Sequence, residues 1–504
     1  MSFISTGFFL VIAFSAVIYY LIPGRFQWYL LLIMSLAFYA TYGIKCFAFI
    51  GFTILSTYFI SRIMEASEDG KVRKRWLLAG LISNFGILVF LKYCNFTIGN
   101  INSIATALNV NIGLEKLSLF MPLGISFYTF QIMGYLIDVY YKKYDAETNV
   151  LRLALFTSFI PQILQGPIGR YDRMAPQLFA HNKFQIKNVE YGVQRILWGL
   201  AKKLILADRA YVISSNIFGN LQWYSGGHVV VALLMFSVYE YCDFSGGIDV
   251  VIGAAEIFGI KLDENFRQPY FSASISEFWR RWHITLGTWM KDYVFYPFTI
   301  SKTMHNFGKR AKKRFGNKTG RVLPLCVANL LIFFIVGVWH GAAWKFIIYG
   351  MYNGIIIAMS NLLKPAYSAA AAKCHINTAS RVWKMFQIAR TFVLVNIGWL
   401  FDACATAGIA FTALAKVFQG ISMDAILDGR LLKMGLNMRD WKVFFVGVII
   451  MFIVSLMKEY GVNVRDYIAS KPLPVRWAIY LTLVFVTAPF GFVGTTTEFM
   501  YAQF

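Results

Sequence analysis

Long apolar stretches separated by short polar turns recur along the chain from residue 7 to residue 491. Each stretch approaches the ~20 mostly apolar residues that a helix needs to cross a bilayer. The pattern therefore predicts an all-α integral membrane protein with about 11 transmembrane helices, the remaining stretches being re-entrant or interfacial. The stretches are 7–23, 28–44, 46–61, 76–92, 121–140, 151–168, 190–207, 228–242, 322–339, 344–363, 386–401, 442–457 and 474–491.

The composition favours one membrane domain over a series of soluble domains. Of the 504 residues, 58% are hydrophobic and 14% are charged, whereas about 25% are charged in soluble domains. Because no long polar linker interrupts the apolar stretches, we predict a single polytopic domain over residues 1–504. The first stretch has no basic segment before it and no small-residue cleavage site after it, which indicates a retained span.

The chain has a net charge of +23, and its basic residues lie in short turns between the apolar stretches. This distribution is typical of the cytoplasmic loops of membrane proteins. We expect the turn 62–75 to be cytoplasmic for this reason. The most basic segment, residues 302–321, has no acidic residue. It is either an anchor on anionic lipid headgroups or a docking surface for a phosphorylated donor. Both interpretations place it in the cytoplasm, and neither requires nucleic acid.

Several kinds of chemistry find no support in the sequence. The six cysteines lack the spacing of a metal site, and no dinucleotide fingerprint or P-loop motif is present. We therefore predict no bound metal or cofactor. By contrast, segments 158–175 and 240–297 mix Pro, Gly, Arg and Asp with aromatic residues. Irregular backbone at membrane depth requires surrounding protein or water, so these two segments are predicted to line a cavity.

His340 is a titratable residue within an apolar stretch, between Trp339 and Gly341. Such a residue is costly inside a membrane, and a functional role is the first hypothesis for it. The alternative is a histidine that hydrogen-bonds a neighbouring helix. Gly337 and Gly341 leave room for a substrate or another backbone to approach.

A second candidate site lies in segment 277–293, which combines cations, a histidine and tryptophans. This combination is also typical of an aromatic belt with snorkelling cations at the membrane interface. Glu277 and Asp292 add opposite charges, however, which favours the wall of a polar cavity. The candidate residues are Trp279, Arg280, Arg281, Trp282 and His283.

Carboxylates and other polar side chains form a third group. Asp243 is a candidate to orient a histidine or arginine, whereas Asp249 is better interpreted as part of a buried structural network. Ser245 lies in the same segment as these two carboxylates. Gln131 and Lys202 are weaker candidates, since such residues serve packing or anchoring more often than catalysis.

Six motifs follow one another along the chain: Pro122–Gln131, Gly166–Ile168, Lys202–Lys203 with Ala207–Arg209, Asp243–Gly246, Ser276–Ile284 and Val338–Gly341. In these motifs and their order, the sequence resembles the membrane-bound O-acyltransferase family, specifically its bacterial branch that O-acetylates polysaccharides and is related to D-alanyl transfer proteins. The resemblance extends over about residues 1–504.

The resemblance implies a catalytic histidine, His340, and a partner, His283, both reaching a central tunnel. It implies acetyl-CoA, another acyl thioester or an acyl carrier protein as donor, and a separate extracytoplasmic acyltransferase as partner. It also implies a multi-pass protein of the bacterial cytoplasmic membrane. The other candidates would line the tunnel or bind substrate: Gln131, Lys202, Asp243, Ser245, Trp279, Arg280, Arg281, Trp282 and Trp339.

The last six residues, 499–504, resemble an aromatic C-terminal motif seen in the family or in its small companion proteins. The functional hypothesis is that Tyr501 carries the acyl group as a phenolic ester before passing it on. The alternative is an aromatic anchor at the membrane interface.

Three other functions compete with polysaccharide O-acetylation. One is transfer of D-alanine from a carrier protein to teichoic acid, another is a transporter or flippase, and the third is a scaffold for a polysaccharide synthase. The sequence shows no internal repeat of the kind common in transporters. That absence and the Trp339–Gly341 motif favour the acyltransferase.

Overall fold

The computed structural model describes residues 4–163, 165–421, 429–491 and 499. Over these residues the fold is helical, and strand-like pairing is confined to an isolated bridge between Phe266 and Trp282. The prediction of an all-α protein is confirmed.

Helices α1–α10 occupy the first half of the chain. They are α1 Thr6–Leu21, α2 Gly24–Ala40, α3 Lys45–Ala66, α4 Gly70–Ala107, α5 Ile125–Tyr140, α6 Val150–Ser158, α7 Tyr171–Leu178, α8 Ile186–Ala201, α9 Asp208–Gly219 and α10 Gly226–Ile257. A π-helical turn, Lys202–Ala207, joins α8 to α9.

Helices α11–α21 follow. They are α11 Ile275–Arg281, α12 Ile284–Met290, α13 Tyr296–Thr299, α14 Lys302–His340, α15 Trp344–Leu362, α16 Lys364–Lys373, α17 Arg381–Ala403, α18 Ala407–Gln419, α19 Met438–Glu459, α20 Val464–Ala469 and α21 Leu473–Phe490. A second π-helical turn, Lys291–Phe295, lies between α12 and α13.

Every apolar stretch predicted from the sequence overlaps one of these helices. The main difference is the stretch 151–168, where α6 ends at Ser158. Pro161 and Pro167 follow, and residues before a proline disfavour helical backbone. The break falls in segment 158–175, which the sequence marked as irregular.

Five helices of the described part of the chain are long and apolar enough to cross a membrane, and α15 with α16 makes six if that bent pair is one span. The five are α3, α4, α10, α14 and α19. Three further apolar helices, α1, α18 and α21, are shorter. The fold is therefore that of an integral membrane protein, while the count of about 11 spans stays a prediction.

The chain forms two compact units. Among the described residues, the first unit contains those of 1–203 and 244–263 together with residue 499, and the second contains those of 204–243 and 264–491. The single domain over residues 1–504 stays a prediction.

In the first unit, α8 packs closely against the C-terminal half of α10 through glycines. A Cβ atom added to Gly199 would lie 2.5 Å from the carbonyl oxygen of Gly246, and one added to Gly253 would lie 2.5 Å from that of Gly192. Small residues at such a contact let two backbones approach, as at many helix pairs in membranes. This approach places the polar side chains at the end of α8 against α10.

In the second unit, α14 packs along α15 in the same way. A Cβ atom on Gly337 would lie 2.5 Å from the carbonyl oxygen of Phe346. A Cβ atom on Gly350 would collide with the carbonyl oxygen of Phe333. The space expected beside Gly337 is thus filled by the backbone of another helix. This contact fixes the end of α14, where His340 lies.

Helix α14 also contains a sharp reversal. Gly316 has φ 78° and ψ 167°, a conformation that residues with a Cβ atom rarely adopt. The segments on either side fold against each other, because a Cβ atom on Gly308 would lie 3.3 Å from Pro324 and one on Gly320 would collide with the backbone of Lys312. The basic segment 302–315 is therefore a separate arm that turns back on the apolar segment 317–340.

Candidate active site

The backbone at His283 is held in an unusual conformation between α11 and α12. His283 has φ 46° and ψ 53°, the left-handed region that non-glycine residues seldom occupy. A short antiparallel bridge holds it there: the Arg267 N–H donates to the Arg281 carbonyl at 2.9 Å, and the Ile284 N–H donates to the Asn265 carbonyl at 3.0 Å. Strained backbone persists where surrounding contacts fix it, often at functional sites.

Asn265 also holds this turn with its side chain, which is fully buried. Its Oδ1 accepts hydrogen bonds from the backbone N–H and the hydroxyl of Thr285, both at 3.0 Å, and lies 3.3 Å from Nδ1 of His283. Asn265 was not predicted from the sequence as a site residue. The available signal was its place inside the irregular segment 240–297, but no local pattern connects it to His283.

The structure brings the two predicted histidines together around Trp339. The ring centroids of His283 and Trp339 lie 5.7 Å apart, and those of Trp339 and His340 lie 5.2 Å apart. His340 ends α14 and packs against Tyr349 of α15 at 5.6 Å between ring centroids. His283, Trp339 and His340 are all buried.

Burial and the neighbouring His340 lower the pKa of His283 to about 3. His283 lies outside the candidate spans. Its imidazole is therefore neutral at physiological pH, the form that can accept a hydrogen bond or a proton at one ring nitrogen.

Aromatic rings pack behind the histidines. Trp282 stacks on Phe278 at 5.4 Å between ring centroids and lies 5.2 Å from Trp399, which in turn stacks on Tyr349 at 5.6 Å. Trp279 donates its Nε1–H to Asn353 Oδ1 at 3.0 Å. Trp279 and Trp282 thus belong to a packed aromatic wall in the second unit. Trp399 and Asn353, which are also parts of it, were not predicted from the sequence.

The two predicted arginines differ in their surroundings. Arg281 pairs with Glu277 at 2.7 Å and with Glu459, at the end of α19, at 2.6 Å. The pairing with Glu277 was expected from the sequence. Arg280 is exposed. Arg281 therefore fastens α11 to α19, whereas Arg280 is accessible.

The buried Lys202 and Ser245 form a polar network with the partly buried Asp249 in the first unit. Lys202 Nζ donates to Ser245 Oγ at 2.7 Å and pairs with Asp249 at 2.6 Å, and Arg195 pairs with the other oxygen of Asp249 at 3.0 Å. The interpretation of Asp249 as a network residue is confirmed. Lys202 begins a π-helical turn, a feature frequent at functional sites, but its role in substrate binding stays a prediction.

The other candidates are less informative. Gln131 is buried and donates to the Phe156 carbonyl at 2.6 Å, a contact that fastens α5 to α6. Asp243 is fully buried in α10, and its orienting role stays a prediction. Tyr501 lies outside the described residues. Over the described part of the chain, no cluster of His, Cys, Asp and Glu could hold a metal ion.

The structure is a helical membrane fold in which His340, at the end of the apolar helix α14, lies near His283, which is buried in the turn between α11 and α12. Residues 145–312 match the model of the membrane-bound O-acyltransferase family. Among curated proteins, the chain is 34% identical to the probable alginate O-acetylase AlgI of Pseudomonas syringae, over 76% of this chain and 68% of that protein. The chain therefore belongs to the membrane-bound O-acyltransferase family and is an acyltransferase.

Other relatives carry different names. The peptidoglycan O-acetyltransferase of Helicobacter pylori is 32% identical over 74% of this chain and 70% of its own length. The teichoic acid D-alanyltransferase of Bacillus subtilis is 32% identical over 48% of this chain and 59% of its own length. The matches to these two acetylating relatives cover more of both chains than the match to the Bacillus subtilis D-alanyltransferase does.

Proposed function

We propose that the protein moves an acetyl group from a cytoplasmic thioester donor across the membrane for O-acylation of an extracytoplasmic polysaccharide. The observation that carries this proposal is the buried cluster of His283, Trp339 and His340 in a member of an acyltransferase family. The names of the relatives that match the largest share of the chain, for alginate and peptidoglycan, support an acetyl group and a polysaccharide acceptor.

The reaction needs proton transfer and close approach of the reactants. The acceptor hydroxyl attacks the thioester carbonyl carbon while a histidine takes its proton, and the carbon–sulfur bond then breaks. The histidine returns the proton to the thiolate, so the histidine ends in its starting protonation state. We assign the proton transfer to His340 and a supporting role to His283. A tunnel that confines both reactants would supply proximity, and no covalent enzyme intermediate is needed for this step.

We further propose that the arm 302–315 recruits the donor on the cytoplasmic side. The arm is amphipathic: Met304, Gly308 and Ala311 are buried, whereas the cations are exposed. Acetyl-CoA carries several phosphate charges, which exposed Lys and Arg attract before the thioester enters the protein. The exposed cations of the arm are Lys302, Lys309, Arg310, Lys312, Lys313 and Arg314.

Neutralising three cations of the arm, Lys309→Gln with Arg310→Gln and Lys313→Gln, is expected to weaken acetyl-CoA binding about tenfold or more in low salt, because long-range attraction is lost. The measurement is the dissociation constant of acetyl-CoA for purified protein in nanodiscs, in a His340→Ala background that prevents turnover. The matched control neutralises Lys71, Lys74 and Arg75, which are exposed in the basic turn at the start of α4. Equal binding by both triple variants would instead indicate that the arm anchors on lipid headgroups.

The remaining parts of the proposal concern location and partners. We place the protein in the bacterial cytoplasmic membrane, with a separate extracytoplasmic acyltransferase that delivers the acetyl group to the polymer. Tyr501 is the proposed carrier of the group between the two proteins.

The function is tested by ester analysis of envelope and secreted glycans. In a deletion strain complemented with the unsubstituted gene, mass spectrometry should show a polysaccharide ester that the vector control lacks, with the mass of an acetyl group. A D-alanyl mass would assign the protein to teichoic acid modification instead. If complementation restores no ester, and proteoliposomes move an unmodified solute, the transporter function gains support. Full ester content in Tyr501→Phe would contradict the carrier role alone.

A further inference from the structure

The hydrogen bonds around Asn265 determine which nitrogen of His283 carries the proton. The Thr285 backbone N–H can only donate, and it lies 3.0 Å from the side-chain atom assigned as Oδ1. If the amide were rotated by 180°, two donors would face each other at that distance. The atom that contacts His283 is therefore the oxygen of Asn265.

An amide oxygen only accepts hydrogen bonds. Across its 3.3 Å contact with Oδ1, Nδ1 of His283 must therefore be the donor. A neutral imidazole carries one ring proton, so the other nitrogen, Nε2, is unprotonated and is an acceptor. Burial keeps the ring neutral, because water does not reach it to stabilise the charged form.

We propose that Asn265 is a positioning residue that holds His283 as the Nδ1-protonated tautomer, so that Nε2 of His283 accepts a hydrogen bond during acyl transfer. This inference rests on the proposed function. His283 could support the reaction either as a hydrogen-bond donor to the oxyanion or as a hydrogen-bond acceptor, and the tautomer decides between these two roles. With its proton on Nδ1, neutral His283 does not donate from Nε2 to an oxyanion; it takes a hydrogen bond from the reacting hydroxyl or from His340.

The same residue also fixes the direction in which the ring points. The backbone carbonyl of Asn265 accepts a hydrogen bond from the Ile284 N–H, and its side-chain oxygen accepts hydrogen bonds from Thr285. Both residues that follow His283 are therefore held by Asn265. Ring orientation at a left-handed residue depends on this backbone, since φ and ψ set the direction of the Cα–Cβ bond. Asn265 therefore controls the tautomer and the position of His283 together.

The first test measures the tautomer without any activity. Protein labelled with 15N-histidine in lipid nanodiscs contains six histidines, and subtracting the spectrum of His283→Gln assigns the His283 signals. We expect a protonated Nδ1 and an unprotonated Nε2 in the unsubstituted protein, and loss of that preference in Asn265→Leu. In Asn265→Asp the preference should persist, and His283 should protonate at higher pH than in the unsubstituted protein, because a carboxylate beside Nδ1 stabilises the imidazolium.

The second test measures ester content per folded enzyme in the complemented strain. Asn265→Leu should fall to about a tenth of the unsubstituted enzyme or less, while Asn265→Asp, which keeps the acceptor, retains at least about a third. Thr285→Val is the matched control. It removes the hydroxyl that donates a hydrogen bond to Asn265 Oδ1, but it leaves the contact between Oδ1 and His283 in place. It should lose no more than about half of the ester content.

The outcomes separate the inference from the function on which it rests. An Nε2-protonated His283 in the unsubstituted protein overturns the inference, even if Asn265→Leu fails to fold. Equal losses in Asn265→Leu, Asn265→Asp and Thr285→Val also overturn it, since they indicate only a structural role. If the unsubstituted gene restores no ester, the proposed function fails, and the tautomer measurement still decides the assignment of Asn265.

Discussion

Replacing His340 with alanine is expected to lower ester formation in the complemented strain by about 10²–10⁴-fold, the range typical of a lost general acid or base. The reason is its place in the buried cluster with Trp339 and His283, where we assign the proton transfer to its imidazole. The measurement is the polysaccharide ester content by mass spectrometry, normalised to the amount of enzyme in the membrane.

His181→Ala is the matched control, because His181 is exposed in the first unit and has no assigned role. It should keep ester content within about twofold, since exposed substitutions away from special features change stability little. Equal ester content in His340→Ala and the unsubstituted enzyme, at equal abundance, would show that His340 is a packing residue. The proton transfer would then have to be assigned to another group.

Replacing Gly350 with valine is expected to prevent α14 from packing on α15 and to leave little folded protein. A Cβ atom at this position collides with the carbonyl oxygen of Phe333 and lies 2.9 Å from the backbone of Gly337. Overpacking against side chains typically costs about 1–3 kcal/mol, and here the obstacle is helix backbone, which yields less easily. The measurement is the fraction of solubilised protein that elutes as a single species in size-exclusion chromatography.

Two other glycines provide graded controls for Gly350. Gly354→Ala meets the Phe333 side chain at 3.0 Å and should show a smaller loss. Gly86→Ala in α4 meets no atom within 4 Å and should be neutral or slightly stabilising, because alanine favours helix more than glycine does. A Gly350→Val protein as stable as Gly86→Ala would mean that the two helices do not approach as closely as described.

The helices could be predicted from the sequence because the membrane makes the signal strong. Each span must be long, apolar and internally hydrogen-bonded, so length and composition are enough to locate it. His340 and segment 277–293 stood out for the same reason, since polar residues in an apolar surrounding are conspicuous. That His283 lies close to Trp339 and His340 was not predictable, because the two histidines are far apart in the chain.

The supporting contacts had no local signal. Asn265 acts on His283 through a bridge that forms only when segments 265–267 and 281–284 meet. The arm 302–315 was recognised by its charge, but its fold back on residues 317–340 depends on a single glycine conformation at Gly316. The glycine contacts between α8 and α10 were missed, although the spacing of Gly192 and Gly199 matches that of Gly246 and Gly253.

The left-handed backbone of His283 limits which amino acids evolution or an experimenter can place there. A residue with an ordinary side chain pays about 1–2 kcal/mol in this conformation, whereas glycine, asparagine and aspartate adopt it more readily. In a saturation library at position 283 selected for folding alone, these three should therefore be enriched over alanine and the branched residues. Because His283→Ala combines backbone strain with loss of the ring, His283→Asn is the cleaner substitution for isolating the imidazole's chemical contribution.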